Sequence, residues 1–280
     1  MNLAHADKFV ADNVGDIVDA LASVCSTLPP IMLVGATCRD ALHIGQGHAF
    51  QLRGTDDLDL ALAVAGLDQF EQLRSNFPRL RSGAGQVRHQ IAGAAVDLVP
   101  FGPGVEEPDG LVTAQETMSV FGFQDALASS RPVVLKSGTV VHLPSVAGYT
   151  LLKLKAWADR SAFHQYKDGG DLACAMFWYQ NDPNVTERLY VEPHAIGHLV
   201  AADTDPNVAA VRLLVDDALR LLPADRRTEL RSTWDRLPGG DASLARHLSN
   251  NLLNPWPKGT DAPTRLAAYS SAVRNVIAAA

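Results

Sequence analysis

With 280 residues, 47% of them apolar, the chain has length for one large domain or two modest ones and the composition of an ordinary globule. Its net charge of −7 argues against a broad basic footprint for nucleic acid, although it leaves room for a local basic patch. No stretch reaches the roughly 18 to 20 apolar residues of a membrane span, the N-terminus lacks a basic-then-apolar signal layout, and Cys25, Cys38 and Cys174 stand apart without metal spacing, so a cytoplasmic protein with free thiols and no membrane partner is expected.

Apolar positions Phe9, Val10, Val14, Ile17, Val18, Leu21 and Val24 recur at helical spacing, which predicts a helix from Ala6 to about Leu28, ended by Pro29-Pro30. Ile31 to Val34 reads as a short buried strand that breaks at Gly35-Ala36 into a helical segment from Thr37 to His43. A small-residue turn between strand and helix lets backbone N–H groups approach a phosphate at a positive helix end. The Gly-x-Gly of the loop Gly45 to His48 follows a helix, where a dinucleotide fingerprint requires a strand. Thr55 to Leu62 then alternates with period two, so Asp57 and Asp59 share one face while Leu58, Leu60 and Leu62 share the other.

Leu67 to Phe77 is expected to be helical, Gly83-Ala84-Gly85 breaks the next segment, and His89 to Ile91, the Gly93 turn and Ala95 to Pro100 read as a hairpin with Asp97 at the centre of its second strand. Arg79, Arg81 and Arg88 cluster around that hairpin, either as a solvated edge or as a basic strip for phosphates. Gly102 to Gly110 is a surface loop, and Pro132 to Leu135 with Thr139 to Leu143 form a second hairpin. Ser145 suits the N-cap of a long helix and marks the boundary between an α/β part, residues 1–144, and a helical part, residues 145–280. Helical patterns there cover Val146 to Arg160, Asp171 to Tyr179, Pro193 to about Ala201, Asn207 to Leu221, Ala224 to Trp234, Ala242 to Leu252 and Pro263 to the end. Loops at residues 181–184, 203–206, 238–240 and 254–255 separate them.

Asp57 and Asp59 side by side need compensation, since like charges a few ångströms apart repel by about 1 to 4 kcal/mol. A divalent cation supplies it, and an oxygen-only ligand pair favours a hard ion such as Mg²⁺. Asp97, inside an apolar strand, is costly unless paired or metal-bound. Nine histidines spread singly along most of the chain make zinc improbable, and neither a Gly-x-Ser-x-Gly elbow nor a P-loop occurs.

Gly35-Ala36, then Arg53-Gly54-Thr55-Asp56-Asp57-Leu58-Asp59, then Val96 to Gly102 with Asp97, resemble the polymerase-β-like nucleotidyltransferase superfamily. Leu152 to Arg160 followed by Lys167-Asp168-Gly169-Gly170-Asp171-Leu172 is similar to the AbiEii-type toxin nucleotidyltransferases, so the resemblance spans about Ile31 to Leu172. Members often carry Gly-Gly or Gly-Ser where this chain has Gly35-Ala36, which leaves phosphate contact to backbone N–H groups or Thr37. Gly35 to Asp40 is also partly similar to the Gly-Gly-x-x-Arg-Asp of tRNA nucleotidyltransferases.

The resemblance implies an α+β protein: a mixed-sheet nucleotidyltransferase domain followed by an all-helical domain that contributes nucleotide-binding residues. It implies one or two Mg²⁺ ions on Asp57, Asp59 and Asp97, with Asp97 activating the attacking hydroxyl. Nucleotide contacts would come from Gly35, Ala36, Thr37, Arg53, Thr55, Lys153, Lys167 and Asp168, with Asp171 completing the catalytic set. Lys153, flanked by Tyr149 and Trp157 on one helix face, is preferred over Lys155, which Asp159 pairs at i+4; a lysine snorkelling past aromatic rings is the structural alternative. The implied reaction moves a nucleotide from a nucleoside triphosphate to RNA, tRNA by family likeness, or to a protein hydroxyl, with a cognate antitoxin as a possible partner. The alternatives are transfer to a small molecule of the antibiotic-modifying sort, and a degenerate nucleotide-binding protein without activity.

Overall fold

A computed structural model describes residues 2–55, 57–80, 88–105, 111–112, 117–237, 239–250 and 256–280. The expected break at Gly83 to Gly85, Arg81, Asp56, residues 106–110 of the expected loop, Pro238 and the Asn254-Pro255 loop lie outside the described residues. The chain forms two compact units: residues 1–49 with 54–145, and residues 50–53 with 146–280.

In the first unit, α1 (Leu3–Ser23) buries Ala6, Val10, Val14, Ile17, Val18 and Leu21 along one stripe. It stops short of the expected Leu28 because that stripe ends at Leu21, and side chains then take over backbone acceptors: Ser23 Oγ donates to Ala20 O at 2.8 Å and Cys25 Sγ to Leu21 O at 3.2 Å. The strand β1 (Ile31–Leu33) leads directly into α2 (Gly35–Gly45). After β2 (Leu58–Ala63) comes α3 (Leu67–Arg74), shorter than expected because Ser75 and Asn76 turn their side chains onto the Gln72 carbonyl. The hairpin of β3 (Arg88–Ile91) and β4 (Ala94–Phe101) follows, then the two-residue strands β5 (Leu111–Val112) and β6 (Thr117–Met118), the short helix α4 (Phe123–Ala128), and the hairpin of β7 (Arg131–Val134) and β8 (Val140–Leu143). Neither β5 with β6 nor α4 is legible as hydrophobic periodicity.

The sheet runs β3-β4-β2-β1-β8-β7 and is mixed: β2 is parallel to β4 and β1 to β8, while the other neighbours are antiparallel. The expected α+β class therefore holds at the level of a mixed sheet beside helices. Leu58, Leu60 and Leu62 pair with Val96, Leu98 and Pro100, so one face of the central strands is continuous apolar core. Asp59 pairs with Asp97 on the opposite face.

The second unit holds α5 (Val146–Ser161), α6 (Lys167–Gln180), α7 (Pro183–Val191), α8 (Pro193–Val200), α9 (Pro206–Arg220), α10 (Ala224–Asp235), α11 (Gly240–His247) and α12 (Ala262–Ala279). Its centre is α9, packed by α5, α6, α7, α8 and α12, with Ala209, Val211, Leu213, Leu214, Ala218 and Leu219 buried. Two segments read as loops are helix starts. Asp182 accepts from Asn184 N at 2.9 Å and Asp205 from Asn207 N at 2.8 Å, each before a proline at the first helical position. The Asp182-Pro183 pair that reads as a loop thus opens the whole of α7. α6 begins four residues before the expected Asp171 because Gly169 tolerates the helix there while His247 and Trp157 press against it; a Cβ at Gly169 would stand 2.9 Å from His247 Cβ. Among the described residues no helix is long and apolar enough to cross a membrane.

Candidate active site

Three aspartates of the first unit are brought together by strand register. Asp59 lies in β2 and Asp97 directly beside it in β4, and Asp57 stands one residue ahead of β2. The Leu58-to-core alternation forces this, because Asp57 and Asp59 then share the face on which Asp97 also sits. Thr55 Oγ1 donates to Asp57 Oδ1 and so fixes that carboxylate.

Arg88 is the residue that the sequence reading assigned too little. It opens β3 opposite Asp97, donates from Nε to Asp97 Oδ1 at 2.7 Å and from Nη2 to Asp97 Oδ2 at 2.8 Å, and its Nη2 also bonds Asp57 Oδ2. A sequence signal for the pair exists. Ala92 and Gly93, at φ +48° and +83°, form a two-residue turn pairing Ile91 with Ala94, and counting back three positions on each strand places Arg88 on Asp97. The Thr55 hydrogen bond, joined by attraction to Arg88, outweighs partial burial and holds Asp57 below the ordinary carboxylate value. The two carboxylates in turn raise Arg88 further above its already high value. Among the described residues no three His, Cys, Asp or Glu side chains stand as a ready-made cation set; here the guanidinium grips two of the acids.

Gly35 begins α2 at φ +62°, and a Cβ on it would overlap the Asp59 carboxylate. The glycine is therefore required twice, by its backbone angle and by the approach of Asp59. Gly35→Ala is expected to lose about 1 to 2 kcal/mol from the left-handed angle and about 1 to 3 kcal/mol more from the overlap. Gly47→Ala, at φ +82° with open space around it, should lose only the first part. Thermal unfolding of both variants checks this, and equal losses would mean that Asp59 is not pressed against the Gly35 backbone.

Ala36 is half-buried and Thr37 buried within α2. Arg39, of the stretch similar to tRNA nucleotidyltransferases, is buried and pairs with Asp40 at 2.8 Å. Arg53 is exposed and falls within the helical unit.

Within the helical unit, α5 and α6 bury an ion cluster. Lys153 Nζ lies 2.6 Å from Asp171 Oδ2 and 3.1 Å from Asp168 Oδ1, while Arg160 Nη1 reaches Asp168 Oδ2 at 3.1 Å. Asp168 is 0% exposed, Asp171 4% and Lys153 9%. Burial works against the Lys153 ammonium, yet the Asp171 and Asp168 carboxylates outweigh it and raise its pKa. Burial likewise opposes the Asp168 carboxylate, but Lys153 and Arg160 together lower it. The Tyr149 ring lies 5.6 Å from Lys153 Nζ, consistent with the inward aromatic face read from the sequence. Lys155 pairs with Asp159 at 2.5 Å, and Lys167 is exposed at the first position of α6.

The first unit thus carries an aspartate set bridged by arginine on its sheet, and the second a lysine clamped by two aspartates among its helices. No protein-family model matches the chain, and no curated protein matches it.

Proposed function

We propose that the chain is a metal-dependent nucleotidyltransferase that moves a nucleotide from a nucleoside triphosphate to a hydroxyl of RNA, tRNA by the sequence resemblance, or of a protein. The observation that carries the reading is the register of Asp59 with Asp97 on parallel β2 and β4, with the Gly35 backbone against Asp59. The donor chemistry suits a hard cation: the carboxylates on this face offer oxygen ligands alone, and two of them share one cationic side chain that stands in for positive charge. Asp57, Asp59 and Asp97 would hold Mg²⁺, which when bound neutralises the triphosphate and the charge that develops on the departing pyrophosphate.

The remaining chemistry falls to residues of the chain. Thr55 keeps Asp57 oriented. Asp97 accepts the proton of the acceptor hydroxyl as its oxygen bonds to the α-phosphorus, and the bond to the pyrophosphate oxygen breaks with its electron pair leaving on pyrophosphate. Lys153 receives no step here, since its ammonium is committed to Asp168 and Asp171. An AbiEii-like toxin role, with a cognate antitoxin, follows the same resemblance.

Incubating the protein with Mg²⁺, α-labelled nucleoside triphosphates and total RNA is expected to move label into RNA or into protein. Label appearing only on small hydroxylated compounds would favour the small-molecule acceptor, to which the net charge of −7 is suited. No transfer to any acceptor, with nucleotide still bound, would leave a non-catalytic nucleotide-binding protein and overturn the enzyme reading.

A further inference from the structure

All four carboxylate oxygens of Asp57 and Asp97 already accept a hydrogen bond. Thr55 Oγ1 serves Asp57 Oδ1, and the guanidinium of Arg88 serves Asp57 Oδ2 and both oxygens of Asp97. We propose that Arg88 is an exchangeable counter-ion: it holds Asp57 and Asp97 while no cation is bound and gives both up when a divalent cation enters. The inference rests on the nucleotidyltransferase reading of the same acids and adds a residue that controls cation affinity.

Three features support exchange over a permanent pair. The guanidinium is charged at every working pH, so it stays a competitor of any cation and leaves the acids only by moving. It lies on the very oxygens a hard cation needs, and two positive groups on one carboxylate pair repel each other. The Arg88 side chain is 27% exposed, so rotation about its long stem leads toward solvent without opening the core. A cation can thus take the oxygens of Asp97 and Asp57 as the arginine swings out.

Competition for the same oxygens has a thermodynamic consequence: removing the competitor tightens the cation. Mn²⁺, a hard divalent ion whose free form is counted by electron paramagnetic resonance, can be titrated into the full chain without nucleotide. Arg88→Gln is expected to bind Mn²⁺ about tenfold tighter than wild type or more. Arg88→Lys, which keeps a charge but loses the two-pronged grip, should fall between them. If Arg88→Gln fails to fold, as seen by circular dichroism, the wild-type and Arg88→Lys pair decides, with a few-fold tightening expected in the lysine variant. Equal or weaker Mn²⁺ binding in the variants, with wild type binding measurably, overturns the exchange and leaves the cation site standing. Absence of Mn²⁺ binding in wild type and variants alike removes the cation site, and with it both this inference and the nucleotidyltransferase reading.

Discussion

Asp59→Asn is expected to lower nucleotide transfer by about a thousandfold or more, while the melting temperature stays close to that of wild type. The side chain keeps its shape, so the contact with the Gly35 backbone survives. What is lost is the negative charge that would meet the cation, an effect worth several kcal/mol in the transition state, at about 1.36 kcal/mol per tenfold. Asp57→Asn is the instructive contrast, because Asp57 is also the partner of Thr55 and Arg88. Its ion pair is partly exposed, so its loss should cost stability by no more than about 1 kcal/mol. The decisive measurement is turnover with labelled nucleotide beside a melting curve. Wild-type turnover in Asp59→Asn would remove that carboxylate from the chemistry.

The central strands were readable because period-two alternation with one face in the core leaves no freedom of register. Once Leu58, Leu60 and Leu62 point inward, Asp59 faces the other way, and parallel pairing with β4 does the rest. The Arg88 to Asp97 pair was within reach of the same logic through the two-residue turn at Ala92-Gly93, although Ala92 at positive φ is an unusual residue for it and weakens the turn signal. In the helical unit the limits are different. Asp182-Pro183 and Asp205-Pro206 carry the same composition whether they end a loop or begin a helix, and only the hydrogen bonds to Asn184 and Asn207 distinguish the two. The partners of Lys153 were out of reach for a further reason: a helix face shows that a side chain turns inward, but not which residues of the next helix meet it. The early start of α6 decides that. With Lys167 to Gly170 helical, Asp168 and Asp171 lie one turn apart on a single face, so a single ammonium meets both.

Lys153→Met is expected to destabilise the protein by about 3 to 5 kcal/mol, because it leaves two buried carboxylates without the ammonium between them. At about 2 to 4 °C per kcal/mol for a unit of this size, the melting temperature should fall by roughly 10 °C. Arg160 still reaches Asp168, but its side chain is 38% exposed and its contact at 3.1 Å cannot replace the buried partner. The pH dependence gives the cause. Asp168 has its pKa lowered by folding, so the stability it contributes is complete above the ordinary carboxylate value of 3.8 and is lost as pH falls through the depressed folded value. Lys153 has its pKa raised, so its contribution is complete below the ordinary value of 10.5 and is lost only as pH rises through the raised folded value. Between those limits the wild type keeps both charges; in Lys153→Met burial without the ammonium pushes Asp168 up, so the deficit should be largest at neutral pH and shrink as pH falls toward and below the ordinary carboxylate value. Denaturant unfolding of both proteins between pH 3 and 8 tests this. A deficit below about 1 kcal/mol at neutral pH, or one that grows on acidification, would mean that the lysine snorkels past Tyr149 without holding the two acids.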